Sequence, residues 1–355
     1  MKSLFYWLII LIAFTQFSCS SKSGKQNEKA GLQITFKEDD NAKRIDVVVD
    51  NHLFTVFRWP DNICKPVFYP IFTSEETQIT RGFPIDPQVE ERADHPHQIG
   101  MWLTYGNVNG LDFWGNGSQG LGTTNSNGGI IKHLKIESIK EGSGEGSFFS
   151  EESWQDTTES ELLHEKTEYH FIAKEKIRII DRITTLTAGE ENVQMPDTKE
   201  GMFGIRVARQ LELPDKGTVV LYNTDGSVTR TKDTLNIGIT GNYMSSEGIT
   251  GLEVWGTRAR WMNLYGKIDD ENISITICDH PGNPNYPTYW HARGYGLFAA
   301  NPLGAKDFTK GDETFNFSIP ANQSATFRYR VIINSGEQLS EDEINKLADD
   351  FATLY

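Results

Sequence analysis

Glu165-Lys-Thr-Glu-Tyr-His-Phe-Ile-Ala173 and, after a short charged turn, Ile177-Arg-Ile-Ile-Asp-Arg-Ile-Thr-Thr-Leu186 decide the fold class. Both runs alternate or are β-branched, the pattern of strands that bury one face. The same signal recurs on either side. Residues 32–36, 45–49, 54–58, 130–139 and 147–154 carry it upstream, and 201–211, 219–222, 260–265, 273–278, 315–319 and 325–333 carry it downstream. Gly-rich or acidic turns such as Gly142-Ser-Gly-Glu-Gly146 and Ala188-Gly-Glu-Glu191 join them. No helical period interrupts the series, so the chain reads as all-β, a large many-stranded antiparallel β-sandwich rather than βαβ units. One helix is predicted, at the end. Ser340 and Glu343 make a capping box, Leu339 and Ile344 a staple, and Ile344, Leu347 and Phe351 one apolar face that packs on the sandwich. Residues 32–355 are read as a single domain.

The first residues carry an address. Lys2, an apolar run from Leu4 to Phe14, and Ser18-Cys19 predict a signal peptide over residues 1–18. Cys19, ahead of a polar tether over residues 19–31, resembles a bacterial lipoprotein site. The expectation is an exported protein, lipid-anchored through Cys19 and facing the periplasm or the cell surface. Of the 355 residues, 34 are Lys or Arg against 49 Asp or Glu, a net charge of −15 that argues against nucleic acid as a partner. Three cysteines exclude a disulfide framework and a Cys-rich metal cluster; Cys64 and Cys278 suit either a disulfide or two buried thiols.

Candidate chemistry concentrates in three segments. In residues 92–115, Pro96 between His95 and His97 is expected to hold the backbone extended, so that both imidazoles face one side beside Asp94. Trp102 and Trp114 nearby offer flat faces of the kind that stack on sugar rings. The second segment, residues 279–301, is a proline-stiffened loop feeding a strand, with His280, Trp290, His291, Arg293, Tyr295 and Asn301. The third, Asp197-Thr-Lys-Glu-Gly-Met-Phe-Gly-Ile-Arg206, offers Asp197 or Glu200 as the carboxylate partner of a histidine. From these, His95, His97, His291, Arg293, Tyr295 and Glu200 form the candidate catalytic set. Asp94, Trp102, Trp114, Arg206, Trp290 and Asn301 form the candidate substrate contacts. Arg206 and Arg293 are of the type that grips a carboxylate bidentately or forms structural ion pairs. A divalent metal on His95, His97 and His280 is an alternative to acid–base work, and no Gly-rich loop points to a nucleotide cofactor. His52, His133, His164 and His170 read as surface residues.

Asp94-His-Pro-His97, Gly100-Met-Trp102 and Asn109-Gly-Leu-Asp-Phe-Trp114 resemble the signature of an uncharacterised bacterial family. So do Lys65-Pro-Val-Phe-Tyr-Pro70, Thr80-Arg-Gly-Phe-Pro84, Asp197-Thr-Lys-Glu-Gly201 and Tyr289-Trp-His-Ala-Arg-Gly-Tyr-Gly-Leu-Phe298. That family carries the label "methane oxygenase PmoA-like", and the motifs run in order over residues 60–305. Its pattern has a third histidine where this chain has Gln98. A methane monooxygenase is not expected, because no stretch after the signal spans a membrane. The resemblance implies instead an association with sugar catabolism and a galactose-mutarotase-like supersandwich. The combined expectation is an envelope carbohydrate-active enzyme of lyase, glycosidase or epimerase type, cleaving, eliminating or isomerising a sugar unit of a glycan. The competing expectation is a non-catalytic glycan-binding lipoprotein.

Overall fold

In the computed structural model, which describes residues 31–232 and 236–355, the two deciding runs form neighbouring strands, Glu161–Ala173 and Ile177–Ala188. They pair antiparallel over their length at the centre of an eight-stranded sheet. Alternation sorts their side chains: Leu163, Tyr169, Phe171, Ile180 and Leu186 enter the main core. Ser324–Ser335 and Glu271–Asp279 extend the sheet on one side, Glu145–Gln155 and Ile130–Lys140 on the other. A nine-stranded sheet takes the second layer. Its order runs Tyr289–Ala292, Leu297–Asn301, Gly201–Arg206, Met101–Tyr105, Val67–Ile71, and then the three strands that open the described chain and the short Gly142–Ser143.

The layers meet through aromatic contacts. Phe68 packs edge-on to Tyr169 at 4.9 Å between ring centroids, and Phe203 stacks on Tyr329 at 4.8 Å. The all-β, many-stranded antiparallel sandwich expected from the sequence is therefore observed. The C-terminal helix is observed as well, Glu341–Ala352 with both halves of its capping box formed by Ser340 and Glu343. Its Ile344, Ala348 and Phe351 cover Ile179, Trp261, Cys278 and Ile332 on the outer face of the eight-stranded sheet.

Some expectations are corrected. The strand expected over residues 201–211 stops at Arg206, where the partner strand begins opposite it at Leu297 and leaves no ladder beyond; a 3-10 turn, Arg209–Leu211, follows. Of the two alternatives for Cys64 and Cys278 the free thiols hold, with Cys278 buried beneath the helix but Cys64 only half-buried. His133 is not a surface residue: its side chain is 5 % exposed, beside Glu152 and against Trp59 at 4.1 Å between centroids. The signal peptide, Cys19 and nearly all of the tether lie outside the described residues, whose helices include none long and apolar enough to cross a membrane.

Candidate functional site

Met101, Leu103, Phe203, Ile205, Phe298 and Ala300 point their side chains into the core between the sheets. The residues alternating with them must then face outward from the nine-stranded sheet. One row of these crosses four strands by direct pairing: Trp102 opposite Gly204, Gly204 opposite Ala299, Ala299 opposite His291. A large ring at each end and two small residues between leave a depression, which Trp114 enters from its loop. A Cβ on Gly204 would come within 3.0 Å of Trp102 and 3.3 Å of Trp114, so even a methyl group there would press both indoles outward by a few tenths of an ångström.

Arg81, almost fully buried, shapes the loop above. Its guanidinium donates to the carbonyls of Arg92, Asp94, His95 and Gln98 at 2.7–3.1 Å, and to the Asp94 carboxylate at 3.0 Å. Winding the chain around one cation replaces the extended His-Pro-His segment expected from sequence with a turn. His95 adopts φ 46°, and the Gln98 N–H closes back on the His95 carbonyl at 3.0 Å. The two imidazoles still end as neighbours, 5.8 Å apart between centroids.

From this loop a closed circuit of contacts runs around the outer face. His95 stacks on Tyr295 at 5.2 Å with the rings within 3° of parallel. Arg293 lies over Tyr295 at 5.8 Å and over Trp255 at 5.5 Å. Trp255 meets His291 edge-on at 6.5 Å, and His291 stacks on Trp114 at 6.4 Å. Trp114 packs on Trp102 at 5.2 Å, and the Lys65 ammonium sits over Trp102 at 5.6 Å. Lys65 Nζ then donates to the His97 carbonyl at 2.7 Å, which returns to the imidazole pair. Five of the six candidate catalytic residues thus belong to one circuit. The sixth, Glu200, is ion-paired with Lys199 and near enough to His291 to pull on its proton.

The electrostatics follow from burial. Desolvation, with Lys65 and His95 adding to it, pushes His97 down to about 2; its Nδ1 is buried without a partner. Burial pushes His291 down to about 4 against the opposing pull of Glu200, and its Nδ1 hydrogen-bonds the Lys199 carbonyl at 2.7 Å. A carbonyl only accepts, so Nδ1 carries the proton and Nε2 the lone pair. Both imidazoles are therefore neutral near pH 7. Lys65 is pushed by burial down to about 8. Burial would raise Asp94, but Arg206, His95 and Arg81 hold it well below the usual carboxylate range.

Several candidates do other work. Arg206 is fully buried, donates to Asp94 at 2.7 Å and to Gln98 at 2.5 Å, and lies over Tyr295 at 4.9 Å. It and Asp94 brace the site from beneath. Trp102 and Trp114 are buried, so they form its floor rather than open platforms. Trp290 faces the opposite way, into the core, with its indole N–H on the Ala259 carbonyl. Asn301 is buried and pins residues 198 and 303 through its side-chain amide. Asp197 is occupied by the backbone N–H groups of Phe315 and Asn316. His280 packs against Phe351 of the C-terminal helix, on the opposite layer from His95 and His97, so the proposed metal triad is not assembled. No group of three or more His, Cys, Asp or Glu among the described residues could hold a metal ion. Sequence reasoning placed neither Lys65 nor Arg81 in the site, although both sit in quoted motifs, and a charged residue amid apolar neighbours is the signal that marks Lys65. It also missed Trp255, which has no local signature.

Two antiparallel sheets face to face, with a circuit of aromatic, imidazole and cationic side chains on the outer face of one, define the class. The chain belongs to a family of unknown function, DUF6807, which matches residues 44–349. No curated protein matches it. Among solved structures it is similar to the galactosidase domain of the alpha-galactosidase-sucrose kinase AgaSK, at 9% identity and TM-score 0.39, covering 85% of this chain and 42% of that one. It is similar to a GH36 alpha-galactosidase from Geobacillus stearothermophilus, in complex with stachyose, at 11% identity and TM-score 0.38, covering 86% and 41%. It is also similar to the Slr1438 protein from Synechocystis sp. PCC 6803, at 10% identity and TM-score 0.33, covering 85% and 96%. The chain spans about two fifths of the length of the two galactosidases.

Proposed function

We propose that this protein is a carbohydrate-active enzyme working on the outer face of the nine-stranded sheet, with His97 and His291 as its proton-transfer groups. The closed circuit carries this reading, because it sets aromatic rings and two neutral imidazoles around one opening. A sugar presents C–H faces that pack on aromatic rings and hydroxyls that must both donate and accept. His291 meets a hydroxyl with its Nε2 lone pair, since Nδ1–H is committed to Lys199. Glu200, partly exposed and ion-paired with Lys199, favours the imidazolium that forms when Nε2 takes a hydroxyl proton, because its charge opposes the effect of burial on His291. Hydrolysis through two carboxylates would have to pair Glu200, which is ion-paired with Lys199, with Asp112, whose Oδ1 accepts the Gly115 N–H at 2.7 Å. Two neutral imidazoles serve proton transfer directly. Elimination or isomerisation therefore suits the site better. The association with sugar catabolism that the motif resemblance implies agrees with this reading, and residues 1–19 support an exported, lipid-anchored location.

The test is a panel of neutral and acidic oligosaccharides incubated with the purified protein and followed by proton NMR. New anomeric or vinylic signals are expected, slowed roughly 100-fold or more in His97→Ala and in His291→Ala. Sugar binding with no turnover on any member of the panel, unchanged in both variants, would make the protein a glycan binder instead.

A further inference from the structure

Several hydrogen-bond donors of the circuit lack a partner of opposite charge or an acceptor. Arg81, Arg92 and Arg206 each meet a carboxylate, on Asp94 or Glu212. Arg293 meets none among the described residues; its guanidinium is held only between the rings of Trp255 and Tyr295. Lys65 likewise has no carboxylate within ion-pairing distance and gives one hydrogen to the His97 carbonyl. The indole N–H groups of Trp102, Trp114 and Trp255, all in the circuit, are buried without an acceptor. Buried donors are nearly always paired, and a chain with a net charge of −15 does not gather unpaired cations by composition. Among these unpaired donors Arg293 is the partly exposed one, so it is the group that a ligand's acceptors would complete.

We infer that the substrate is an anionic sugar, a uronate or a glycan ending in one, with its carboxylate lodged against Arg293 between Trp255 and Tyr295. This rests on the reading of the opening as a sugar site and names the class of sugar. A neutral hexose accepts through its hydroxyls but brings a donor hydrogen with every one of them, and it offers no charge to answer the guanidinium of Arg293. A carboxylate brings only acceptors, and a guanidinium presents the planar fork that matches it. The anion would also act on the chemistry. Arg293 is among the groups that keep His291 low, and a negative charge placed between them opposes that effect. The imidazole then moves up from about 4, toward the range in which it can hold a proton.

The experiment is binding to the full chain by calorimetry, using D-galacturonate, D-glucuronate and D-mannuronate, each beside its methyl ester and its parent hexose. At least one free acid is expected to bind about tenfold more tightly than its ester and hexose. That preference should vanish in Arg293→Ala, survive in part in Arg293→Lys, and weaken in Trp255→Phe, which keeps the ring but removes the N–H. Circular dichroism checks that each variant is folded. In proton–nitrogen NMR, the His291 imidazole should titrate at higher pH with the acid bound. Esters and hexoses binding as tightly as the acids would overturn the inference and leave the sugar site intact. A preference for the acid that persists in folded Arg293→Ala would overturn the placement of the carboxylate. Failure of every sugar to bind would remove the sugar site together with the inference.

Discussion

At the scale of single residues, the site depends on His291 staying neutral and on Gly204 staying small. His291 is 3 % exposed, with its pKa pushed down to about 4 by burial, whereas in the unfolded chain it titrates near its ordinary 6.5. Between those values the unfolded state binds the proton and the folded state does not, so this contribution to stability is intact above pH 6.5 and is lost on acidification towards 4. The loss from pH 7 to pH 5 is about 2 kcal/mol. Urea unfolding of the wild type and of His291→Gln at both pH values measures it: the variant should lose less stability on acidification by about that amount, and equal losses would mean that the imidazole is protonated in the fold. At Gly204 the argument is steric. A Cβ would already crowd Trp102 at 3.0 Å, and a branched side chain has nowhere to go, so Gly204→Val should cost about 1–3 kcal/mol. It should also displace Trp114 from its stack on His291, read as a change in tryptophan fluorescence and a fall in turnover.

At the scale of elements, the capping box is the most local of the devices and the most readable. Ser340 Oγ accepts the Glu343 N–H, and the Glu343 carboxylate accepts the Ser340 N–H at 2.8 Å. Ser340→Ala should cost about 1 kcal/mol in chemical unfolding. A loss near zero would mean that packing of Phe351 and Ile344 alone holds the helix. This helix was readable because its signals are short-range: a cap, a box and a staple within a few residues. The strands that alternate, such as Glu161–Ala173, were readable for the same reason. Met101–Tyr105 was not, since all five of its residues are buried and no polar face marks the period. The site was readable in part. The segments bearing His95, His97, His291, Arg293 and Tyr295 announced themselves by composition, and the fold brings them together, His291 on the strand Tyr289–Ala292 rather than in the expected loop. Face assignments failed where one residue decides them: Trp290 and His291 are adjacent in sequence and lie on opposite sides of their strand. The winding of residues 92–98 around Arg81 joins groups that no local pattern connects.

At the scale of the whole molecule, a polar island inside the sandwich links the layers' stability to the strands beneath it. Glu165, 1 % exposed, accepts from Arg182 at 2.6 Å, from Thr167 at 2.6 Å and from the Trp154 indole at 2.7 Å. These contacts tie Glu145–Gln155, Glu161–Ala173 and Ile177–Ala188 together on the face that meets the other sheet. The neighbouring Glu152 is pushed well above the ordinary carboxylate range by burial and by the Glu165 charge beside it, and Arg182 is the cation that offsets both. Taking two charges out of water costs several kcal/mol each, and only their mutual contact and the two further donors repay it. Arg182→Met leaves the Glu165 carboxylate buried without its cation, so it should cost about 3–5 kcal/mol. Adding Glu165→Leu to that variant removes the stranded charge and should recover much of the loss, because two apolar side chains of similar volume suit the surrounding core. Thermal and urea unfolding of the two single variants and the double variant measure the cycle. Additive losses would show that the pair does not act as a unit. A double variant as stable as the wild type would show that the pair adds no net stability over an apolar replacement, and would place it among those that specify which strands align.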